Sequence, residues 1–135
     1  ARPGTLPFAE VLATSDILSL HCPLNPETEN MISAPEFALM RQKPLLINTA
    51  RGGLVDEAAL ERALDDDLVS GAGLDVTRPE PPPTDSAIMR LARRPDVLVT
   101  PHIAWASLQS QQTLADQLGE ALAAFVKGER MNRLD

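Results

Sequence analysis

The chain has 135 residues and a formal net charge of −7 at pH 7, enough length for one domain with a hydrophobic core and a charge balance that makes nucleic acid and anionic membranes poor partners. Its apolar runs are too short to span a bilayer, and no charged-then-apolar segment near Ala1 suggests secretion. The single cysteine, Cys22, excludes an internal disulfide and a multi-cysteine metal site, so a cytoplasmic protein is expected.

Ala1-Arg2-Pro3-Gly4, with no initiator Met, reads as the start of a processed chain or of a piece of a longer one. Residues 1–6 read as loop or a short edge strand. Pro7 suits the first turn of a helix, and Phe8, Val11 and Leu12 then share one helical face. Asp16 to Leu20 reads as a strand ending at His21-Cys22-Pro23-Leu24, and Asn25 to Asn30 as a polar loop. Ser33-Ala34-Pro35-Glu36 matches a capping box with proline in the first turn, opening a short helix to about Met40. Leu45 to Asn48 is a short apolar strand running into Thr49-Ala50-Arg51-Gly52-Gly53. The glycine pair allows a tight turn and a close approach of backbone to a ligand. Asp56 caps the next helix, Glu57 to Leu64, with Val55 and Leu60 placed as a hydrophobic staple. Asp65-Asp66-Asp67 opposes the helix dipole, and fraying is expected there.

Val69 to Val76 is strand-like, with glycines that suggest close backbone packing. Thr77 to Asp85 is a proline-rich loop carrying Glu80. Ala87 to Ala92 fits one or two helical turns, and Val97 to Thr100 is a further apolar strand ending at Pro101-His102. The tail, Leu108 to Lys127, is the longest helix. Leu114, Leu118, Ala121, Leu122 and Phe125 mark its expected buried face, and Gly128 is a fitting stop. Strands alternating with helices give βαβ units and a parallel sheet.

In such sheets, ligands sit at the carboxyl ends of the strands. Four predicted strands end in polar residues: His21, Asn48 with Arg51, Asp75 with Glu80, and His102. Each alone has an ordinary structural reading, as a packed histidine, a surface ion pair, a cap or a solvated loop charge. Their convergence on one sheet edge favours a site. Arginine offers a rigid fork to a carboxylate, and histidine passes protons near neutral pH. Arg51, Glu80 and His102 together suit polarising and protonating the carbonyl of a small α-keto acid. The set lacks a nucleophile, because Cys22 reads as a small apolar residue. No His/Cys/Asp/Glu spacing resembles a metal site.

The stretches Asp16–Leu24, Leu46–Asp56, Gly71–Val76 with Glu80-Pro81, and Thr100–Ala104 resemble, in order and spacing, the D-isomer-specific 2-hydroxyacid dehydrogenases. The likeness covers nearly the whole chain. It implies an α/β fold: a Rossmann-like, parallel-sheet half domain with helices on both faces and a long C-terminal helix. It implies hydride transfer between NAD, with NADP left open, and a small 2-keto or D-2-hydroxy acid. It implies a catalytic triad in which His102 donates the proton, Glu80 orients it and keeps it protonated, and Arg51 holds the substrate. Cys22, Pro23, Asn48, Thr49, Ala50, Arg51, Asp75, His102 and Ala104 are implied to line the nicotinamide and its ribose, with Thr28 near the cofactor. Formate dehydrogenases of this superfamily carry Gln where Glu80 stands, which disfavours that branch. His102-Ile103-Ala104-Trp105 looks most like the glycerate dehydrogenase or hydroxypyruvate reductase branch.

The sequence contains no G-x-G-x-x-G, the phosphate-binding turn that the family places upstream of a segment like this one. Residues 1–135 are therefore expected to be a partial dinucleotide-binding domain without its Gly-rich first βαβ half, inactive by itself. Residues 107–128 are expected to return toward a missing substrate domain. Self-association, as a homodimer or through exposed apolar surface, is expected as well. The alternative reading, from another class, is a non-catalytic dinucleotide-sensing scaffold of the corepressor type.

Overall fold

The computed structural model of the protein describes residues 4–131. In chain order the elements are α1 (Phe8–Thr14), β1 (Ile17–Leu20), α2 (Ala34–Phe37), β2 (Leu45–Asn48), a 3₁₀ turn (Gly52–Leu54), α3 (Glu57–Asp65), β3 (Gly71–Leu74), α4 (Ala87–Leu91), β4 (Val97–Val99) and α5 (Leu108–Val126). They fall into two compact units, one ending at His102 and one beginning at Ile103. Gly4 to Leu6 form no strand, and residues 1–3, the rest of the stretch expected as loop or edge strand, lie outside the described residues. No described helix is long and apolar enough to cross a membrane.

The first unit is built on a four-stranded sheet in the order β1-β2-β3-β4 with every neighbouring pair parallel. The register sets Leu18 beside Leu46 and Leu46 beside Ala72, then Leu20 beside Asn48 and Asn48 beside Leu74. Because side chains alternate across a strand, these residues share one face, and all of them are buried. That face joins Leu12 of α1, Phe37 of α2, Leu60 and Leu64 of α3, and Ile88 and Leu91 of α4 in one hydrophobic core. The opposite face carries Ile17 and Leu98, 61% and 66% exposed. Helices were expected on both faces; within this unit they cover one. The cause is topological. Right-handed crossovers that all step the same way along a sheet put their helices on the same side, and coverage of both faces needs a reversal of strand order.

Local rules account for most boundaries. Ser33 and Glu36 close the capping box at the start of α2, and the Asp56 side chain accepts the Ala59 N–H at 3.0 Å to cap α3. Val55 and Leu60, the expected staple, are both in the core. The frayed end expected at Asp65–Asp67 is instead tied down: Asp65 pairs with Arg94 at 2.5 Å and Asp67 pairs with Lys43, so cations from elsewhere offset the unfavourable dipole. Phe8, expected on the packed face of α1, is exposed, whereas Leu12 is buried.

In the second unit, the Ser107 hydroxyl caps α5 by accepting the Ser110 N–H at 3.1 Å, and Gly128 at φ +73° ends it as expected. The stripe expected to be buried is open: Leu114, Leu118, Leu122 and Phe125 are all exposed, and only Ala124 of this helix is buried. Among its described residues the second unit holds one helix, so the stripe has no apolar partner within that unit.

Asp56 also accepts the Ser33 hydroxyl at 3.1 Å, so one carboxylate joins the starts of α2 and α3. Asp56→Ala is expected to lower stability by about 1–2 kcal/mol, in the range for lost N-caps. Urea unfolding of Asp56→Ala beside Asp56→Asn measures it, with the asparagine variant retaining most of the stability.

Candidate active site

All four strands are parallel, so their carboxyl ends open at a single edge. The loop after β2 is shaped by Asn48, whose side chain is buried: its Nδ2 donates to the Arg51 carbonyl at 2.9 Å, and its Oδ1 accepts the Ala50 N–H at 3.1 Å. These bonds bend the chain so that Arg51 emerges exposed at the rim, where its Nη1 donates to the Ala50 carbonyl at 2.6 Å. The next residue, Gly52, lies directly against the loop that follows β3. A Cβ at Gly52 would stand 2.2 Å from the Thr77 carbonyl carbon, an overlap with rigid backbone. Glycine is therefore the residue that lets the Arg51 loop and the Glu80 loop touch.

The loop after β3 folds back on itself. The Thr77 N–H donates to Glu80 Oε1 at 3.0 Å, and the Thr77 hydroxyl donates to the Pro79 carbonyl at 2.8 Å. The other carboxylate oxygen, Glu80 Oε2, lies 2.8 Å from His102 Nδ1. His102 stands at the end of β4 with φ +57°, a left-handed conformation that is uncommon for a residue with a side chain. Its N–H donates to the Asp75 carbonyl at 2.8 Å. The hydrogen bond from His102 holds the Glu80 carboxyl below its ordinary range, helped by the Thr77 N–H and, less, by the charge of Arg51. A cavity of about 460 Å³ opens beside the pair, with Asp75, Thr77, Glu80, Thr100 and His102 among its walls.

The structure thus brings Glu80 and His102 into contact and sets the Arg51 loop against them. Asp75 is buried behind the pair, with its carboxylate accepting the Thr100 hydroxyl at 2.5 Å. Thr49 is exposed and Ala50 half-buried in the same β2 loop as Arg51. Cys22 is half-buried with its Sγ 3.4 Å from Met31 Sδ, a packing role that agrees with its apolar reading. Pro23 supplies the carbonyl that the Thr28 hydroxyl binds at 2.7 Å, so Thr28 shapes the loop after β1. His21, also at a strand end, pairs with the Ser19 hydroxyl at 2.8 Å. It follows β1, two strands from β3 and so roughly 10 Å away at ordinary strand spacing. Ala104 belongs to the second unit and is exposed.

Sequence reasoning missed Thr77 and Thr100. The three-residue step from Thr77 to Glu80 carries a usable signal, since threonine followed by a loop carboxylate favours local turns. Nothing local marks Thr100, whose partner lies 25 residues earlier.

The parallel sheet thus carries a His–carboxylate pair and an arginine loop at its carboxyl edge, the edge at which α/β sheets of the dinucleotide-binding class bind ligands. Residues 3–104 match the family model for the D-isomer specific 2-hydroxyacid dehydrogenase, NAD binding domain, and the chain belongs to that family. It is 50% identical over 131 residues to a glycerate dehydrogenase of Methylorubrum extorquens, covering 97% of this chain and 41% of that protein. It is 37% identical over 123 residues to a hydroxypyruvate reductase of Blautia hydrogenotrophica, covering 91% of this chain and 37% of the other. The fold superposes on a D-lactate dehydrogenase with NAD+ from Lactobacillus jensenii with a TM-score of 0.84 and 38% identity, over 94% of this chain and 41% of that one. The chain therefore spans about two-fifths of the length of these three relatives.

Two outcomes follow from this geometry. A carboxyl whose folded pKa is lowered contributes stability above its unfolded pKa and loses it as pH falls through the folded value. Glu80 should accordingly titrate, by carboxyl ¹³C NMR, below the ordinary glutamate range, and His102→Ala should bring it back toward that range. Gly52→Ala should push the Thr77–Glu80 loop off the Arg51 loop and disturb the Glu80 and His102 resonances, while a control, Gly119→Ala, meets nothing within 4 Å and leaves them in place.

Proposed function

We propose that the protein to which this chain belongs is an NAD-dependent dehydrogenase that reduces a small 2-keto acid or oxidises the matching D-2-hydroxy acid. The observation that carries this reading is the 2.8 Å pair of Glu80 and His102 at the carboxyl edge of the sheet, beside the arginine loop. With Nδ1 engaged by Glu80, proton exchange with the substrate oxygen falls to Nε2 of His102. Glu80 fixes the tautomer and orientation of the ring, and Thr77 fixes Glu80. Arg51 presents a rigid fork that suits a carboxylate and steadies the carbonyl next to it.

The residue types at this edge fit a nicotinamide. An amide-bearing ring needs hydrogen-bond acceptors and close backbone, and the edge offers the Asp75 carboxylate and the carbonyls of the β1 and β2 loops. Cys22, Pro23, Asn48, Thr49, Ala50, Asp75, His102 and Ala104 are assigned to that surface, with Thr28 supporting it through Pro23. When bound, the nicotinamide gives or takes the hydride. The sequence has no Gly-rich phosphate turn, so this reading assigns residues up to His102 to the nicotinamide half of the cofactor domain and the pyrophosphate to a part not in this chain. It takes residues 107–128 as the helix that returns toward the substrate domain. The identity to a glycerate dehydrogenase favours glycerate and hydroxypyruvate as the substrate pair. The open sheet face and the apolar stripe of α5 favour association with a second copy or with the rest of the protein, in the cytoplasm.

The test is NADH oxidation by the full-length protein with hydroxypyruvate and with glyoxylate. Turnover supports the reading, and its absence with both acids in a folded protein that binds NADH favours a sensing scaffold. His102→Ala should lower kcat by about 10²–10⁴-fold, the usual span for general acid–base catalysis. Arg51→Lys should weaken keto-acid use far more than NADH binding. Equal losses for acid and cofactor would assign Arg51 a structural role instead.

A further inference from the structure

We infer that Thr100 is a positioning residue for His102, acting through Asp75; the inference rests on the reading of His102 as the proton donor. Beyond the last paired residues of β3 and β4, Leu74 and Val99, the two strand ends stay joined by a short series of bonds. The Thr100 N–H donates to the Leu74 carbonyl at 2.9 Å, the Thr100 hydroxyl donates to Asp75 Oδ1 at 2.5 Å, and the His102 N–H donates to the Asp75 carbonyl at 2.8 Å. The His102 N–H also approaches the Thr100 carbonyl at 3.1 Å. The carbonyls of Asp75 and Thr100 therefore share the one backbone N–H of His102, at the joined ends of β3 and β4.

This hold matters because of where His102 stands. Its φ of +57° is a conformation that a side-chain-bearing residue keeps only when its surroundings over-determine it. The Glu80 bond holds the ring through Nδ1 and leaves the backbone to other groups. Among these is the Asp75 carbonyl, and Asp75 itself is 3% exposed, so its carboxyl oxygens need donors. The Thr100 hydroxyl is one such donor. Without it the buried carboxyl group has one donor fewer, and the side-chain link between the ends of β3 and β4 beside His102 is lost. Pro101 reinforces the arrangement by keeping Thr100 extended, which aims its hydroxyl across to β3.

The experiment compares Thr100→Val, which keeps the shape and removes the hydroxyl, with Thr100→Ser, which keeps the hydroxyl, in the full-length protein. Thr100→Val should lower kcat by about 10–100-fold, since displacement of a reacting group by an ångström costs on the order of 10². Its KM for the keto acid should change less, because Arg51 is left in place. Thr100→Ser should keep kcat within about 3-fold, and Thr100→Ala takes the place of valine should valine prevent folding. Hydrogen exchange at the His102 amide supplies a readout independent of turnover: faster in Thr100→Val or Thr100→Ala, and near wild type in Thr100→Ser. Wild-type kcat and wild-type protection of that amide in the hydroxyl-free variants would overturn the proposal. If the wild-type protein turns over no keto acid, the dehydrogenase reading fails, and amide exchange alone then decides whether Thr100 holds His102.

Discussion

β2 and β3 lie side by side in parallel register, with Leu45 opposite Gly71 and Asn48 opposite Leu74. The two strands therefore release their loops from neighbouring points on the same edge. The ladder continues past the strands, with the Asp75 N–H donating to the Asn48 carbonyl at 3.0 Å, so both loops leave from a fixed base. Arg51 and Glu80 are far apart in sequence, but their loops leave from neighbouring strands. The contact of Gly52 with the Thr77 backbone closes the remaining gap. Any side chain at that position would separate the cation from the carboxylate, so the chemistry of the edge depends on a missing Cβ as much as on the charged groups.

The order in which groups are fixed gives the site its rigidity. Asn48 shapes the arginine loop from within the core, where its polar atoms must be paired. Thr77 turns Glu80 back toward the sheet, and Glu80 turns His102. Thr77, Glu80 and His102 thus form a chain in which each polar group is held by the one before it. An exposed contact of this kind contributes little to stability, so the Glu80–His102 bond orients the ring more than it braces the fold.

Much of this was legible in the sequence, for reasons that differ by element. The capping box at Ser33, the Asp56 cap and the stop at Gly128 are local signals written within a few residues, and each appears where it was read. The short strands were legible because apolar runs of this length between turn residues have few other uses. The meeting of Glu80 with His102 beside the Arg51 loop was legible because parallel strands send their carboxyl ends to one edge, which brings distant residues near one another without any knowledge of packing. The one-sided placement of α1 to α4 was less visible: it follows from strand order, and periodicity does not report order. The pairings of Asp65 with Arg94 and of Thr100 with Asp75 were invisible because they join residues from different elements, and nothing in either local stretch names its partner.

The uncovered surfaces carry their own logic. Ile17 of β1, Leu45 of β2 and Leu98 of β4 make the open side of the sheet apolar, as suits a face that is normally covered. A parallel sheet is stable when both faces are covered, and here the direction of the crossovers assigns every helix of the first unit to one of them. In a doubly wound sheet a reversal of strand order is what places helices on the other face, and the described strands contain no such reversal. One topological fact, the unreversed order β1-β2-β3-β4, thus accounts for the apolar face that the helices of the first unit leave open.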